Sequence, residues 1–306
     1  MVNATHIIVL MVPLGAALKV DRVAEVAQAA GADVIETRAV PVPVTLFDRR
    51  TVHNLLVSSA ATEGLSSRLR DLSDQYGVDI ALQPRAARCQ SYRLAVFDMD
   101  STLIDCEVID QLAAQAGVGE AVAEITAQAM RGDLDFYESY RTRLALLEGL
   151  DARAVEELAD RLPVKEGLWE MTTTLKAQGL KLAIFSGGFM PIAERLQVDF
   201  GFDEVVANTL EIASGKVTGR VVPPIVNREH KAAALQALAT RLGIGVDACI
   251  AVGDGANDLD MMAMAGLGVA FHAKPAVRAA SPIEVTHCGL DGVCYLLGSE
   301  GEFANN

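Results

Sequence analysis

Residues 94–105 read LAVFDMDSTLID, in which the apolar run LAVF leads directly into Asp98 and Asp100. A short continuous apolar run is typical of a strand that is buried on both faces of a parallel sheet. Further runs of this kind, each followed by a helical pattern, lie at 181–185, 202–207, 248–252 and 268–271, with an edge strand at 284–286. The sequence therefore predicts an α/β fold with a doubly wound parallel sheet.

Two segments interrupt the alternation of strand and helix. More than 80 residues separate the first predicted strand from the second, whereas a crossover connection needs as few as about a dozen. Apolar residues recur at helical spacing over about 106–175, which predicts a helical cap inserted over the end of the sheet. Apolar and polar residues alternate around Ser214, Gly215 and Lys216, which predicts a hairpin.

The segment before Tyr92 is organised differently. Its periodicity predicts two β-α-β units, with strands at 6–12, 32–39, 53–59 and 78–82 and helices at 20–30 and 63–76. This order is that of a ferredoxin-like α+β domain. The first 92 residues carry equal numbers of acidic and basic side chains, so the whole net charge of −14 lies beyond them. We therefore expect one domain at 1–88 and a second at 92–300.

Composition argues against several classes of function. A net charge of −14 disfavours binding to nucleic acid or to an anionic membrane and favours a cationic partner such as a metal ion. The longest uncharged apolar stretch, 7–18, is shorter than the ~20 residues of a membrane span. The N-terminus lacks the basic segment of a secretory signal, so we expect a cytoplasmic protein. None of the five cysteines has zinc-site spacing, so we expect reduced thiols.

Polar residues follow three of the predicted strands. Because the carboxyl ends of parallel strands meet at one edge of a sheet, we expect these residues to converge. Three of them, Asp98, Asp100 and Asp254, offer carboxylate oxygens to Mg²⁺, which keeps waters and accepts substrate phosphate oxygens. The whole set comprises Asp98, Asp100, Ser101 and Thr102, then Ser186, Gly187 and Gly188, then Asp254, Gly255, Asn257 and Asp258.

A calcium-binding EF-hand loop is one alternative reading of the two acidic stretches. Such a loop needs glycine at its sixth position. Counted from Asp98 or from Asp254, that position holds Leu103 or Leu259. The sequence therefore disfavours an EF-hand.

A serine hydrolase is another alternative. Ser186 as a nucleophile would need a histidine base, and only His230 and His272 lie near the predicted edge. Lys231 opens a predicted helix, where a solvated surface lysine is the simplest interpretation. Beside an acid cluster, however, we favour Lys231 as a clamp that holds a phosphate group and an aspartate.

Four stretches, in this order, resemble the motifs of the haloacid dehalogenase-like hydrolases: FDMDSTL at 97–103, IFSGG at 184–188, Lys231 and VGDGANDLDM at 252–261. The resemblance implies that Asp98 attacks phosphorus to form an aspartyl-phosphate, and that Asp100 protonates the leaving group and then activates water. It implies a magnesium ion held by Asp98, the backbone carbonyl of Asp100 and Asp254. It further implies phosphate-binding contacts from Ser186, Gly187 and Lys231, together with Asn257, and support of Lys231 by Asp258.

The predicted cap resembles more narrowly that of the phosphoserine phosphatases within this family. The resemblance implies that Glu107 binds the substrate ammonium and that Arg143, with Arg141 as its rival, binds the substrate carboxylate. It also implies that Met130 and Phe136 close over a zwitterionic phosphomonoester such as O-phosphoserine. Two alternatives stay open, namely a phosphatase or phosphotransferase for another small phosphate ester, and a serine-sensing regulatory protein with a vestigial catalytic domain.

The predicted N-terminal domain is similar to ACT regulatory modules in its pattern of elements. Such modules often bind amino acids and pair between subunits. The resemblance implies serine as a regulator and a homodimer through this domain. A plain dimerisation or packing domain is an equally good interpretation.

Overall fold

The computed structural model describes residues 4–41, 44–46, 50–59, 62–131 and 133–298, without the side chains of Val44 and Met130. Its first part forms an antiparallel four-stranded sheet in the order β2-β3-β1-β4, with two helices. This confirms the predicted ferredoxin-like layout. The elements are β1 (His6–Pro13), α1 (Val20–Ala29), β2 (Asp33–Val40), β3 (Arg50–Ser58), α2 (Thr62–Tyr76) and β4 (Asp79–Pro84), followed by the short helix α3 (Arg85–Arg88).

The second part contains a seven-stranded sheet in the order β11-β10-β9-β5-β6-β7-β8. Every neighbouring pair is parallel except β7 and β8, which form the predicted hairpin. Its turn residues, Ser214 and Gly215, both have positive φ, at 51° and 75°, as a two-residue hairpin turn favours. The strands are β5 (Leu94–Phe97), β6 (Lys181–Phe189), β7 (Glu204–Ala213), β8 (Lys216–Val222), β9 (Cys249–Gly253), β10 (Leu267–Phe271) and β11 (Glu284–Val285).

A group of helices lies between β5 and β6, as predicted for a cap. The chain leaves and re-enters the core side by side, because Ile104 and Val164 form an antiparallel bridge. The inserted helices are α4 (Val108–Gln115), α5 (Gly119–Arg131), α6 (Phe136–Ala145) and α7 (Arg153–Ala159). The remaining helices are α8 (Leu168–Ala177), α9 (Met190–Phe200), α10 (Arg228–Arg241), α11 (Leu259–Met264), α12 (Pro275–Ala280) and α13 (Asp291–Tyr295).

Strand β6 is longer than the sequence predicts. Its pairing with β7 is irregular between Phe185 and Phe189, and the strand resumes at Phe189 opposite Asn208. The irregular stretch holds Ser186, Gly187 and Gly188. A bulge of this kind bends a strand and redirects its side chains and N–H groups, which places this stretch at the edge where the acids lie.

The two parts of the chain pack tightly against each other. Strand β1 is buried along both faces, because Ile8 and Leu10 pack on α1 and α2 while Ile7 and Val9 join the core of the second part. The carboxylate of Asp79 accepts hydrogen bonds from three successive backbone N–H groups, at 286, 287 and 288. Within the described ranges, no helix has the length and apolar character to cross a bilayer.

Candidate active site

The predicted lysine and two of the predicted acids form a buried ion triad beyond the ends of β5 and β9. Lys231 Nζ lies 2.7 Å from Asp98 Oδ1 and 2.7 Å from Asp258 Oδ1, and the ammonium-bearing side chain is fully buried. Burial alone would lower the pKa of Lys231, but the charges of Asp258 and Asp98 outweigh it and raise the pKa above its ordinary value. Lys231 is therefore a permanent buried cation and not a surface lysine.

Local backbone structure holds each member of this triad in place. Helix α10 begins at Asn227, whose side chain caps it by accepting a hydrogen bond from the backbone N–H of His230. Asp98 follows β5 directly, and its Oδ1 also accepts a hydrogen bond from Met99 N at 2.7 Å. Asp258 Oδ2 accepts a hydrogen bond from Gly255 N at 3.0 Å. The triad is thus fixed by backbone groups as well as by its charges.

Asp254 completes an acidic cluster with Asp98 and Asp258. One carboxylate oxygen from each of the three residues lies within 4.8 Å of the others, and all three residues are buried. Burial and the charge of Asp98 raise the pKa of Asp254 to about 6. Such a concentration of buried negative charge is the arrangement that a divalent cation relieves, and oxygen ligands are what Mg²⁺ prefers. The donor set therefore fits a metal ion.

Asp100 lies at the same edge but in a different environment. Its Oδ1 accepts a hydrogen bond from Val108 N at 3.4 Å, at the start of the cap. Burial, with the charges of Glu107 and Asp98, raises the pKa of the Asp100 carboxyl well above its usual range. A carboxyl group whose protonated form is favoured by its surroundings is suited to donate a proton.

The irregular stretch of β6 lies next to Asp100. A Cβ atom at Gly188 would lie 2.8 Å from Asp100 Oδ2 and 2.6 Å from Met99 Cε. Ser186 Oγ accepts a hydrogen bond from Gly188 N at 2.8 Å, and the buried Asn208 donates to the Gly187 carbonyl at 2.8 Å. The stretch is therefore fixed in position and needs a glycine where it approaches the acid.

Glu107 is held by Ser101, which lies three residues after Asp98. Ser101 Oγ donates a hydrogen bond to Glu107 Oε1 at 2.9 Å. Ser101 has φ 59°, a left-handed conformation that is uncommon for a residue other than glycine. This conformation brings the Ser101 hydroxyl to Glu107, the residue that the family resemblance predicts to bind the substrate ammonium.

Helix α6 carries the predicted cap residues Phe136 and Arg143. The ring of Phe136 stacks on that of Tyr140, with centroids 5.9 Å apart. Arg143 Nε is buried and has no hydrogen-bond partner within the part of the chain that the structure describes. Arg141 instead is exposed and lies over the Tyr137 ring, 5.9 Å from its centroid. Of the two arginines, Arg143 is partly buried and Arg141 is exposed, which favours Arg143 for the predicted role.

Two further predicted residues have no contact in the structure that tests their role. The side chain of Met130 lies outside the described residues. Asn257 is partly buried on the short 3₁₀ turn that carries Asp258, and its predicted phosphate contact stays a prediction.

The serine-hydrolase alternative finds no support in the pair Ser186 and His272. The ring Nε2 of His272 donates a hydrogen bond to the Cys288 carbonyl at 2.8 Å. The hydroxyl of Ser186 is engaged by Gly188 N. These two residues therefore do not form the hydrogen-bonded pair that a serine nucleophile requires.

Several residues at the site were not predicted from the sequence. Lys274, which was not in the predicted set, has its Nζ 3.7 Å from Asp254 Oδ2. Thr102, which was in the predicted set, donates a hydrogen bond from Oγ1 to Asp254 Oδ1 at 3.3 Å. Asn208 and Tyr140 were missed as well. The one signal in the sequence was Asn208, a polar amide inside a strand pattern, which indicates a side chain with a specific hydrogen-bonding role.

Comparison with known proteins agrees with this geometry. The family model "haloacid dehalogenase-like hydrolase" matches residues 92–266. A phosphoserine phosphatase from Streptomyces coelicolor is 46% identical over 248 residues, which is 81% of this chain and 60% of the relative. The chain thus spans less than two thirds of that relative's length.

Two solved structures are similar over nearly the whole chain. An HAD family hydrolase from Salmonella enterica serovar Typhi has a TM-score of 0.86 at 30% identity and covers 96% of this chain and 99% of its own. A probable phosphoserine phosphatase from Vibrio cholerae has a TM-score of 0.75 at 35% identity, covering 96% and 86%. The family match covers more than half of the residues and coincides with the acid cluster. This chain belongs to the haloacid dehalogenase-like hydrolases.

Proposed function

We propose that this protein is a magnesium-dependent phosphatase that hydrolyses O-phosphoserine to serine and phosphate through an aspartyl-phosphate on Asp98. The observation that carries the proposal is the buried contact of 2.7 Å between Lys231 Nζ and Asp98 Oδ1, beside the acidic cluster. Relatives and solved structures named as phosphoserine phosphatases support the choice of substrate.

Asp98 is the nucleophile of the proposed reaction. Its contacts with Lys231 Nζ and Met99 N both fall on Oδ1, so Oδ2 is the oxygen that attacks phosphorus. The Lys231 ammonium neutralises charge on the carboxylate and on the incoming phosphate, which otherwise repel each other. Asp258 holds that ammonium in place.

Asp100 is the general acid and base. Burial and neighbouring negative charges raise the pKa of the Asp100 carboxyl and so favour its protonated form. The carboxyl donates its proton to the departing serine alkoxide, which is too basic to leave unprotonated. The resulting carboxylate then removes a proton from the water that attacks the acyl-phosphate. Ser186, the N–H group of Gly187 and Lys231 hold the phosphate oxygens during both steps.

Asp98, Asp254 and the backbone carbonyl of Asp100 are the groups that would hold Mg²⁺. When bound, the ion supplies charge neutralisation for the phosphate and for the clustered carboxylates. The clustering of Asp254 with Asp98 and Asp258 supports this assignment, because a bound cation relieves the repulsion among their carboxylates.

The cap selects the substrate. Glu107, oriented by Ser101, binds the ammonium group, and Arg143 binds the carboxylate. Phe136 and Met130 cover the bound serine moiety. An anionic side chain, Glu107, and a cationic side chain, Arg143, in one cap favour a zwitterionic substrate over a phosphorylated sugar.

The first experiment is a phosphate-release assay with Mg²⁺ across phosphorylated amino acids and sugars. We expect O-phosphoserine to give the highest kcat/KM and chelation of the metal to abolish release. A sugar phosphate as the best substrate would contradict the proposed specificity. Absence of metal-dependent release from every compound would contradict the proposed activity and favour a vestigial site.

The remaining expectations extend beyond catalysis. We propose that residues 1–88 form a separate ACT-like domain and that residues 92–300, with a cap at about 106–175, form the phosphatase domain. Serine as a regulator, a homodimer through the first domain and a cytoplasmic location stay predictions.

A further inference from the structure

Helix α6 presents three buried polar atoms that lack a hydrogen-bond partner. They are Ser139 Oγ, Tyr140 Oη and Arg143 Nε, each without a partner in the described part of the chain. Together with Phe136 they stand at spacings of three and four residues, so they occupy one face of the helix. Buried polar groups are nearly always hydrogen-bonded. A face with three such groups therefore indicates a place where a polar ligand binds.

Tyr140 is the least expected member of this face. Its side chain is 5% exposed and its ring stacks on Phe136, the residue that closes over the site. Burial raises the pKa of the Tyr140 hydroxyl; the charge of Arg143 opposes this shift and the charge of Asp100 adds to it. The hydroxyl therefore stays protonated and can donate a hydrogen bond, and Arg143 lies three residues along the same face of α6.

We propose that Tyr140 is a specificity-determining residue that donates its hydroxyl hydrogen bond to the substrate carboxylate beside Arg143. This inference rests on the proposed function and adds a second ligand to the carboxylate end of the site. The ammonium end is accounted for separately by Glu107, which accepts a hydrogen bond from Ser101. An anion near Arg143 is the group that a buried neutral donor stabilises best, since hydrogen bonds to charged groups are the stronger ones.

The test compares two substrates that differ only in the carboxylate, O-phosphoserine and O-phosphoethanolamine, with wild-type protein and Tyr140→Phe in saturating Mg²⁺. We expect Tyr140→Phe to lower kcat/KM for O-phosphoserine by about 10-fold, mainly through KM, because a hydrogen bond to a charged group is lost. We expect kcat/KM for O-phosphoethanolamine to stay within about twofold of wild type. Equal losses on both substrates, or no loss on either, would overturn the inference.

Tyr137→Phe is the matched control on the same helix. It also removes a tyrosine hydroxyl, but that hydroxyl accepts a hydrogen bond from Asn227 Nδ2 at 2.6 Å. We expect Tyr137→Phe to change kcat/KM for the two substrates by the same factor. A carboxylate-selective loss in Tyr137→Phe that matches that of Tyr140→Phe would overturn the assignment to Tyr140.

Thermal unfolding of the ligand-free proteins separates substrate binding from a structural role. Because the Tyr140 hydroxyl is buried without a partner, its removal should leave the Tm unchanged or raise it. A clear fall in Tm would overturn the inference by revealing a structural partner. If the wild-type protein does not prefer O-phosphoserine over O-phosphoethanolamine, the proposed function and this inference fail together. If the wild type shows the preference and Tyr140→Phe shows it equally, only the inference fails.

Discussion

Gly188→Ala is expected to impair catalysis through the general acid. The added Cβ would lie 2.8 Å from Asp100 Oδ2, 2.6 Å from Met99 Cε and 3.1 Å from Ser186 Oγ. Ordinary van der Waals separations are roughly 3.5 Å, so the Asp100 carboxyl must move by about 0.5–1 Å. A displacement of that size at a reacting group costs up to about 100-fold in rate, so we expect kcat to fall by about 10- to 100-fold.

The same substitution is expected to have a modest effect on stability. Met99 is fully buried and must also move, and overpacking of this kind lowers the free energy of unfolding by about 1–3 kcal/mol. Gly187→Ala is the matched control for stability, because its Cβ would meet nothing closer than Val226 O at 3.7 Å. We expect Gly187→Ala to unfold in urea close to wild type.

The assays are steady-state phosphate release and urea unfolding of the wild type and the two variants. The double variant Gly188→Ala with Asp100→Asn should have a kcat only slightly lower than that of Asp100→Asn alone, since both substitutions act on one group. A Gly188→Ala variant with wild-type kcat would refute the reasoning that the position of Asp100 limits the reaction. Fully additive losses in the double variant would refute it as well.

Three further predictions follow from the site and from the contact between the two parts of the chain. Arg143→Ala should raise KM for O-phosphoserine far more than for O-phosphoethanolamine, while Arg141→Ala should change KM for either substrate little. The opposite result would assign carboxylate binding to Arg141. Arg50→Met should lower the free energy of urea unfolding by about 3–5 kcal/mol, because it leaves Asp291 buried without its bidentate partner. The double variant with Asp291→Asn should recover part of that loss, and no recovery would argue against the pair. Saturating Mg²⁺ should raise the Tm of the wild type more than that of Asp254→Asn, and equal shifts would remove Asp254 from the metal site.

The core of the site could be predicted from the sequence because it depends on strand ends. Parallel strands carry their carboxyl ends to one edge, so Asp98 and Asp254 had to meet wherever β5 and β9 are neighbours. The motif order then assigned Lys231 to the same edge. The structure agrees, with Lys231 Nζ 2.7 Å from Asp98 Oδ1.

Other features could not be predicted because they depend on which groups meet in three dimensions. Gly188 resembles any glycine of a loop until the bulge in β6 brings it against Asp100. Tyr140 falls in a helical pattern in which an aromatic residue normally indicates the core. Its role depends on whether its hydroxyl has a partner, and a sequence pattern carries no such information.

The packing between the two parts of the chain could not be predicted from the sequence either. The sequence predicts a strand at 6–12, but not that both of its faces are covered, one of them by the other part of the chain. Arg50 and Asp291 form their ion pair across 241 positions of sequence. Such long-range pairing leaves no local signal.

The most direct test of the central claim is identification of the residue that carries the phosphoryl group during turnover. The protein is mixed with O-phosphoserine labelled on phosphorus, in Mg²⁺, quenched in acid within the first turnovers, and digested for peptide mapping. We predict an acid-stable, hydroxylamine-sensitive label on the peptide that contains Asp98, and none in Asp98→Asn. Label on another residue, or equal label in Asp98→Asn, would contradict the account.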